Sequence, residues 1–163
     1  MISKYGKIFK NALNNKVECV LYDKEQDYYS FIQDMLSHSY HQCIVTSNIM
    51  IKIINDLLLT EKIEILSIEF MIEESELDEE IKTIIKKMKS NLLYWNVLKD
   101  KLSFLSQNDS IEIKSVNFKT FDVVGLFAIK ANGIIIASEN IFDDISKNIS
   151  KIVGESIKWK KLL

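Results

Sequence analysis

The chain places a carboxylate and an amine on alternate positions of an expected strand at Glu112-Ile-Lys114. A Glu-x-Lys pair of this kind serves metal-dependent nucleases, where the carboxylate holds Mg2+ and the lysine steadies the attacking water. Such a site also needs an Asp from a preceding strand, and Asp109 lies only three residues upstream. Alternating Glu and Lys is in addition the ordinary dress of a half-exposed strand, so a Mg-dependent nuclease on Glu112 and Lys114 stands as the enzymatic alternative. His38, His41 and Cys43 form a second cluster, but His-x2-His-x-Cys has none of the usual structural-zinc spacings and the only other cysteine is Cys19. No metal and no cofactor are expected, and both cysteines should be reduced and buried.

A third group is polar. Asp23, Thr46, Ser47 and Asn48 fall at the carboxyl ends of two expected strands, the place where open parallel α/β sheets bind ligands and where free N–H groups of a helix N-terminus face an anion. Asp23 and Ser47 also suit helix N-caps, and Asn140 suits the cap of the last helix, with Asp143 three residues on.

The elements that position these residues follow from periodicity. Lys16–Tyr22 is an apolar strand, followed by a helix with Tyr28, Phe31, Ile32, Met35 and Leu36 on one face. Gln42–Thr46 and Lys62–Ile72 are further strands, separated by a helix with Met50, Ile53, Ile54, Leu57 and Leu58 inward. Strands alternating with helices predict a βαβαβ first half with parallel pairing, preceded by an N-terminal helical arm over 1–16. Residues 75–106 form a long heptad-patterned segment with Ser75 as its N-cap. Its stripe is Leu77, Ile81, Ile84, Met88, Trp95, Leu98 and Leu102, with polar Asn91 in an apolar slot. One helix of this length would outreach the sheet, so it either breaks into a hairpin near Ser90–Asn91 or offers the stripe to a second copy, with Asn91 setting register. Antiparallel strands Ile111–Lys119, Val123–Lys130 and Ile134–Ser138 follow, the last two joined by Asn132-Gly133, a type I′ hairpin signal. Ile141–Leu163 closes the chain as a helix. The expected class is α/β with a mixed sheet, in a single domain over 1–163.

Composition narrows the function classes. The 163 residues suffice for one buried core, and 47% apolar against 27% charged residues excludes disorder. No uncharged apolar run is long enough to span a bilayer, and Met1–Lys16 lacks the continuous apolar core of a secretory signal, so the expectation is a cytoplasmic protein without membrane contact. All 21 basic residues are Lys, and the net charge is −2. Without arginine there is no bidentate fork for phosphate or guanine, so direct nucleic-acid binding is not expected.

Val123–Asn140 (VVGLFAIKANGIIIASEN) resembles the hairpin that carries His-x-Lys-x4-Asp-x6-Gly-x-x-Asn in phospholipase-D-like proteins. On that alignment the His falls on Val123, the Lys on Gly125, the Asp on Lys130 and the Gly on Ala137, while Ser138 and Asn140 match. The resemblance implies a fold kept without its nucleophile, as in TrmB-type effector-binding domains, although the first 16 residues cannot hold a winged helix. The expected function is thus a non-enzymatic ligand-sensing or regulatory interaction module. Its candidate ligand residues are Asp23, Thr46, Ser47, Asn48, Ser138 and Asn140, for a small polar or anionic molecule. A homo-oligomer or protein partner is expected, and an immunity-type interaction protein using the heptad helix is the runner-up.

Overall fold

A computed structural model describes residues 2–60 and 62–162, without the side chains of 158–162. Met1, first of the expected arm, and Leu163, last of the expected closing helix, lie outside the described residues. Two strands come first, β1 (Ser3–Asn11) and β2 (Val17–Tyr22), then helix α1 (Tyr28–Ser37), β3 (Tyr40–Gln42), α2 (Ser47–Thr60) and β4 (Ile63–Phe70). A helical pair, α3 (Ser75–Met88) and α4 (Tyr94–Asn108), precedes β5 (Ile113–Thr120), β6 (Gly125–Lys130), β7 (Ile134–Ser138) and α5 (Glu139–Leu162). The class is α/β, but every strand pairing is antiparallel, in the order β2-β1-β7-β6-β5-β4 with β3 also on β1.

The expected parallel first half is therefore corrected, and β1 is the reason. The expected helical arm over 1–16 is instead an inner strand. Tyr5, Lys7 and Phe9 alternate with Gly6 and Ile8, and successive side chains of a strand point to opposite faces. Beside β1, β2 pairs across a tight turn, and β7 returns from the far end of the chain to pair Ser3↔Ser138 through Lys7↔Ile134. The expected strand Gln42–Thr46 shifts to Tyr40–Gln42, which takes over β1's partner lane at Phe9↔Gln42.

The two faces of the sheet are covered unequally. Ile8 belongs to the main core with α2, α4 and α5, whereas Phe9 belongs to a small cluster with Phe31, Ile32 and Met35 of α1. Gly6 lies on the α5 side, where an added Cβ would come 2.7 Å from the Phe142 ring. On the other face, β4–β6 carry exposed Glu69, Leu126 and Lys130.

The long heptad segment is a hairpin. Asn91 accepts from the Leu93 N–H (3.0 Å) and Ser90 donates to the Lys87 carbonyl (3.0 Å), local turn chemistry that outcompetes a continuous helix. Each half then spans roughly 21 Å, with α3 beside β4 and α4 packed on α2 and α3. Leu77, Ile81, Met88, Trp95, Leu98 and Leu102 are buried in the chain's own core, Ile84 is half-buried, and Asn91 is exposed in the turn. The stripe is thus not free to form an intersubunit seam, and Asn91 sets no register there. Three expected caps also move. Asp27, not Asp23, accepts from the Ser30 N–H (3.2 Å), Thr46 rather than Ser47 accepts from the Ile49 N–H (3.4 Å), and Glu74 stands at the cap of α3 without a side-chain bond. The β6–β7 hairpin is present, but only Gly133 has positive φ (+84°), so the three-residue loop is not type I′. The Gly133 N–H donates to the Lys130 carbonyl (2.9 Å), which suits a type I turn ending in a glycine bulge.

Candidate functional site

The candidate ligand residues do not all converge. Thr46, Ser47 and Asn48 line a cavity of about 320 Å3 that also takes in Glu112. Relieved of capping, Ser47 is buried, accepts from the Ile113 N–H (2.9 Å) and donates to one Glu112 carboxylate oxygen. Ser106 of α4 donates to the other (3.1 Å). The anion at the α2 N-terminus is thus the chain's own carboxylate, placed where the helix dipole favours it. Ile44 and Met71, 71% and 56% exposed, form an apolar mouth.

The other candidates lie elsewhere. Asp23 is exposed and accepts from the Glu25 N–H (3.0 Å) in the turn after β2. Ser138 accepts from the Leu126 N–H (3.0 Å) and donates to the Leu126 carbonyl (3.2 Å), which stitches β7 to β6. Asn140 lies inside the first turn of α5 and donates to the Val124 carbonyl (3.1 Å), rather than capping the helix. At the phospholipase-D-like positions, Val123 is exposed in a turn, Lys130 is exposed at the end of β6 and Ala137 is buried. An added Cβ at Gly125 would lie 2.7 Å from Ile141 Cδ1, so a lysine there would require the Ile141 side chain to move.

Glu112 and Lys114 part company. Lys114 lines a different cavity, beside β4, from the one that takes in Glu112. Among the described residues no group of three His, Cys, Asp or Glu side chains is placed to hold a metal ion. His38 contacts the Asp34 carbonyl (2.7 Å). Burial pushes the Cys19 thiol up to about 12 and raises that of Cys43, which leaves both as poor nucleophiles.

Two features escaped sequence reasoning. Lys7 is 1% exposed in the middle of β1, donates to the Asn132 carbonyl at the hairpin turn and lies 5.9 Å from the centre of the Tyr28 ring. Burial lowers its pKa, and a helical reading of 1–16 had hidden it. The second is a groove along β4, the terminal strand of the sheet. A cavity of about 550 Å3 lies between Ser67–Phe70 and the α3 residues Asp78, Ile81 and Lys82, and another of about 440 Å3 lies between Ile63–Ile65 and Met88, Lys89 and Leu92. Ile85 lines both, and together they take in every β4 residue except Leu66. Consecutive residues of a strand point to opposite faces, so a groove that meets nearly all of them runs along the strand's edge.

No protein-family model, curated protein or solved structure matches the chain.

Proposed function

We propose that this chain is a non-enzymatic regulatory interaction module that holds a protein partner in the groove between β4 and α3. The observation that carries the reading is the groove itself, because a terminal strand presents unpaired N–H and C=O groups that a second polypeptide can complete. The heptad segment keeps a part in this reading through α3, which forms the groove wall. The non-enzymatic side is supported by the Glu112 carboxylate, engaged by two hydroxyls, and by Gly125 pressed against Ile141. A phospholipase-D-like origin is supported only by the β6–β7 hairpin with Ser138 and Asn140.

Selection of an unbiased polypeptide display library tests the reading, with Leu92→Glu as the counter-target. Leu92 is 51% exposed on the groove wall, so the variant should fold normally and deprive groove binders of an apolar contact by placing a charge there. Binders indifferent to Leu92→Glu would sink the groove reading, and phosphodiesterase activity abolished by Glu112→Gln would sink the non-enzymatic one. A second reading, small-ligand sensing, is favoured by the convergence of Thr46, Ser47 and Asn48 on the cavity beside Glu112. Its test is a thermal-shift screen of sugars, nucleotides and phosphates, in which a stabilising compound must lose its effect in Asn48→Ala.

A further inference from the structure

We infer that the occupant of this groove is an extended, lysine- or arginine-rich segment of another protein, added to the sheet as an eighth strand with an apolar side chain after its basic run. The inference rests on the interaction reading above and adds the partner's chemistry. β4 has eight residues, roughly 27 Å of strand, so seven or eight partner residues can pair along it.

Charge divides the groove into two halves. Around Ser67–Phe70 it is lined by Glu69, Glu73, Glu74 and Asp78 against Lys82 and Lys114. Among the described residues none of these four carboxylates enters an ion pair, and Lys82 turns to Glu79 at 3.7 Å. Around Ile63–Ile65 the lining becomes apolar, with Leu58, Met88, Leu92 and Phe121, and an ion pair of Lys89 with Glu64 (3.3 Å) stands there. A cationic run fits the first half and an aliphatic or aromatic side chain the second. The two are separated by about four or five residues of strand. Because the whole sheet is antiparallel and antiparallel pairing is the more stable, the basic run precedes the apolar residue in the partner's sequence.

A second copy of the chain fits badly. The bulge between Ile65 and Ser67 makes the burial of β4 symmetric: Ile63, Ile65, Ile68 and Phe70 are buried on one face, and Glu64 and Glu69 lie on the other. The antiparallel self-pairing that keeps these faces matched sets Glu64 opposite Glu69 twice, and like charges directly opposite destabilise a sheet. Nucleic acid is disfavoured by the same carboxylates.

The experiment is an unbiased linear-peptide selection on the native protein, followed by fluorescence anisotropy of the enriched peptides. The expected consensus is basic residues followed by an apolar one. Glu69→Lys combined with Asp78→Lys should weaken binding by about tenfold or more, and raising salt should weaken it further. Methylating alternate backbone nitrogens of the peptide should abolish binding, since strand addition needs those donors. Acidic or neutral peptides that Leu92→Glu nonetheless repels, or peptides indifferent to N-methylation, would overturn the partner chemistry and leave the interaction reading standing. If no enriched peptide responds to Leu92→Glu, both fall. Self-association abolished by Leu92→Glu would overturn the inference in favour of a second copy.

Discussion

β1 and β4 handle charge in opposite ways. Lys7 lies inside β1 at 1% exposure, and the hairpin turn gives its ammonium the Asn132 carbonyl as acceptor. Glu69 on β4 is exposed and finds no ion-pair partner among the described residues. The contrast follows from position in the sheet. β1 is flanked on both sides, by β2 and by β7 with β3, so a buried amine there needs an internal acceptor to offset its desolvation. β4 is flanked on one side only, and an exposed carboxylate loses little by remaining unpaired. Charge satisfied within the chain belongs to the fold, and charge left unsatisfied along a free edge stays available to another molecule.

The largest expected effect tests the inner side of this contrast. Leu98 is fully buried, so Leu98→Lys must bury an unpaired ammonium and should cost about 4 kcal/mol or more, with loss of cooperative urea unfolding. A folded monomer derived from a native dimer would instead return the stripe to an interface. Gly133→Val should cost about 3 kcal/mol, since φ is +84° and the new Cβ would lie 2.5 Å from the Cys43 carbonyl oxygen. A variant that melts like the parent would remove the hairpin turn from the parts on which β1 depends.

A smaller effect appears in pH dependence. Folded Lys7 gives up its proton below the ordinary lysine value, because burial disfavours its charged form. Between the folded and unfolded values the unfolded chain binds more protons, so this group makes stability rise with pH just below the ordinary lysine value. The Cys19 and Cys43 thiols and Tyr22 and Tyr28, all pushed up by burial, act the other way, because the unfolded chain ionises first and stability falls. Lys7→Met should remove the rising contribution and leave the fall from the thiols and tyrosines, measured as the difference between two urea-stability curves across pH. The smallest effect is on the edge strand: Glu69→Lys should change stability by less than about 0.5 kcal/mol while altering peptide binding. A large loss of stability would mean that Glu69 serves the fold after all.

The helices were legible because their apolar positions recur at three and four residues, as Met50, Ile53, Ile54, Leu57 and Leu58 do in α2. The break at Ser90–Asn91 was legible as one of two outcomes, and turn hydrogen bonds decided between them. β1 was not legible. Ile2, Tyr5, Ile8 and Phe9 approximate helical spacing, and a lysine on the inner side of a strand contradicts the rule that charge faces water. Missing β1 also made the parallel reading inevitable, since an alternation of strands and helices does not reveal a strand inserted from the chain's start. Of the candidate ligand residues, the cluster Thr46, Ser47 and Asn48 was legible as the start of a helix, but its neighbour Glu112 lies 65 residues from Ser47 and was visible only as half of a nuclease motif. The groove was not legible, because which strand ends a sheet depends on pairing order.

The pairing of Ser3 with Ser138 has a consequence for how the molecule is made. β1 is translated before its β7 partner, which emerges roughly 130 residues later. Contacts so distant in sequence slow folding, and until they form the Tyr5–Lys7 edge stands open to intermolecular pairing. During synthesis the chain therefore cannot close its sheet progressively from the ribosome outward. It waits, with β1 held only by β2 and the short β3, for β7.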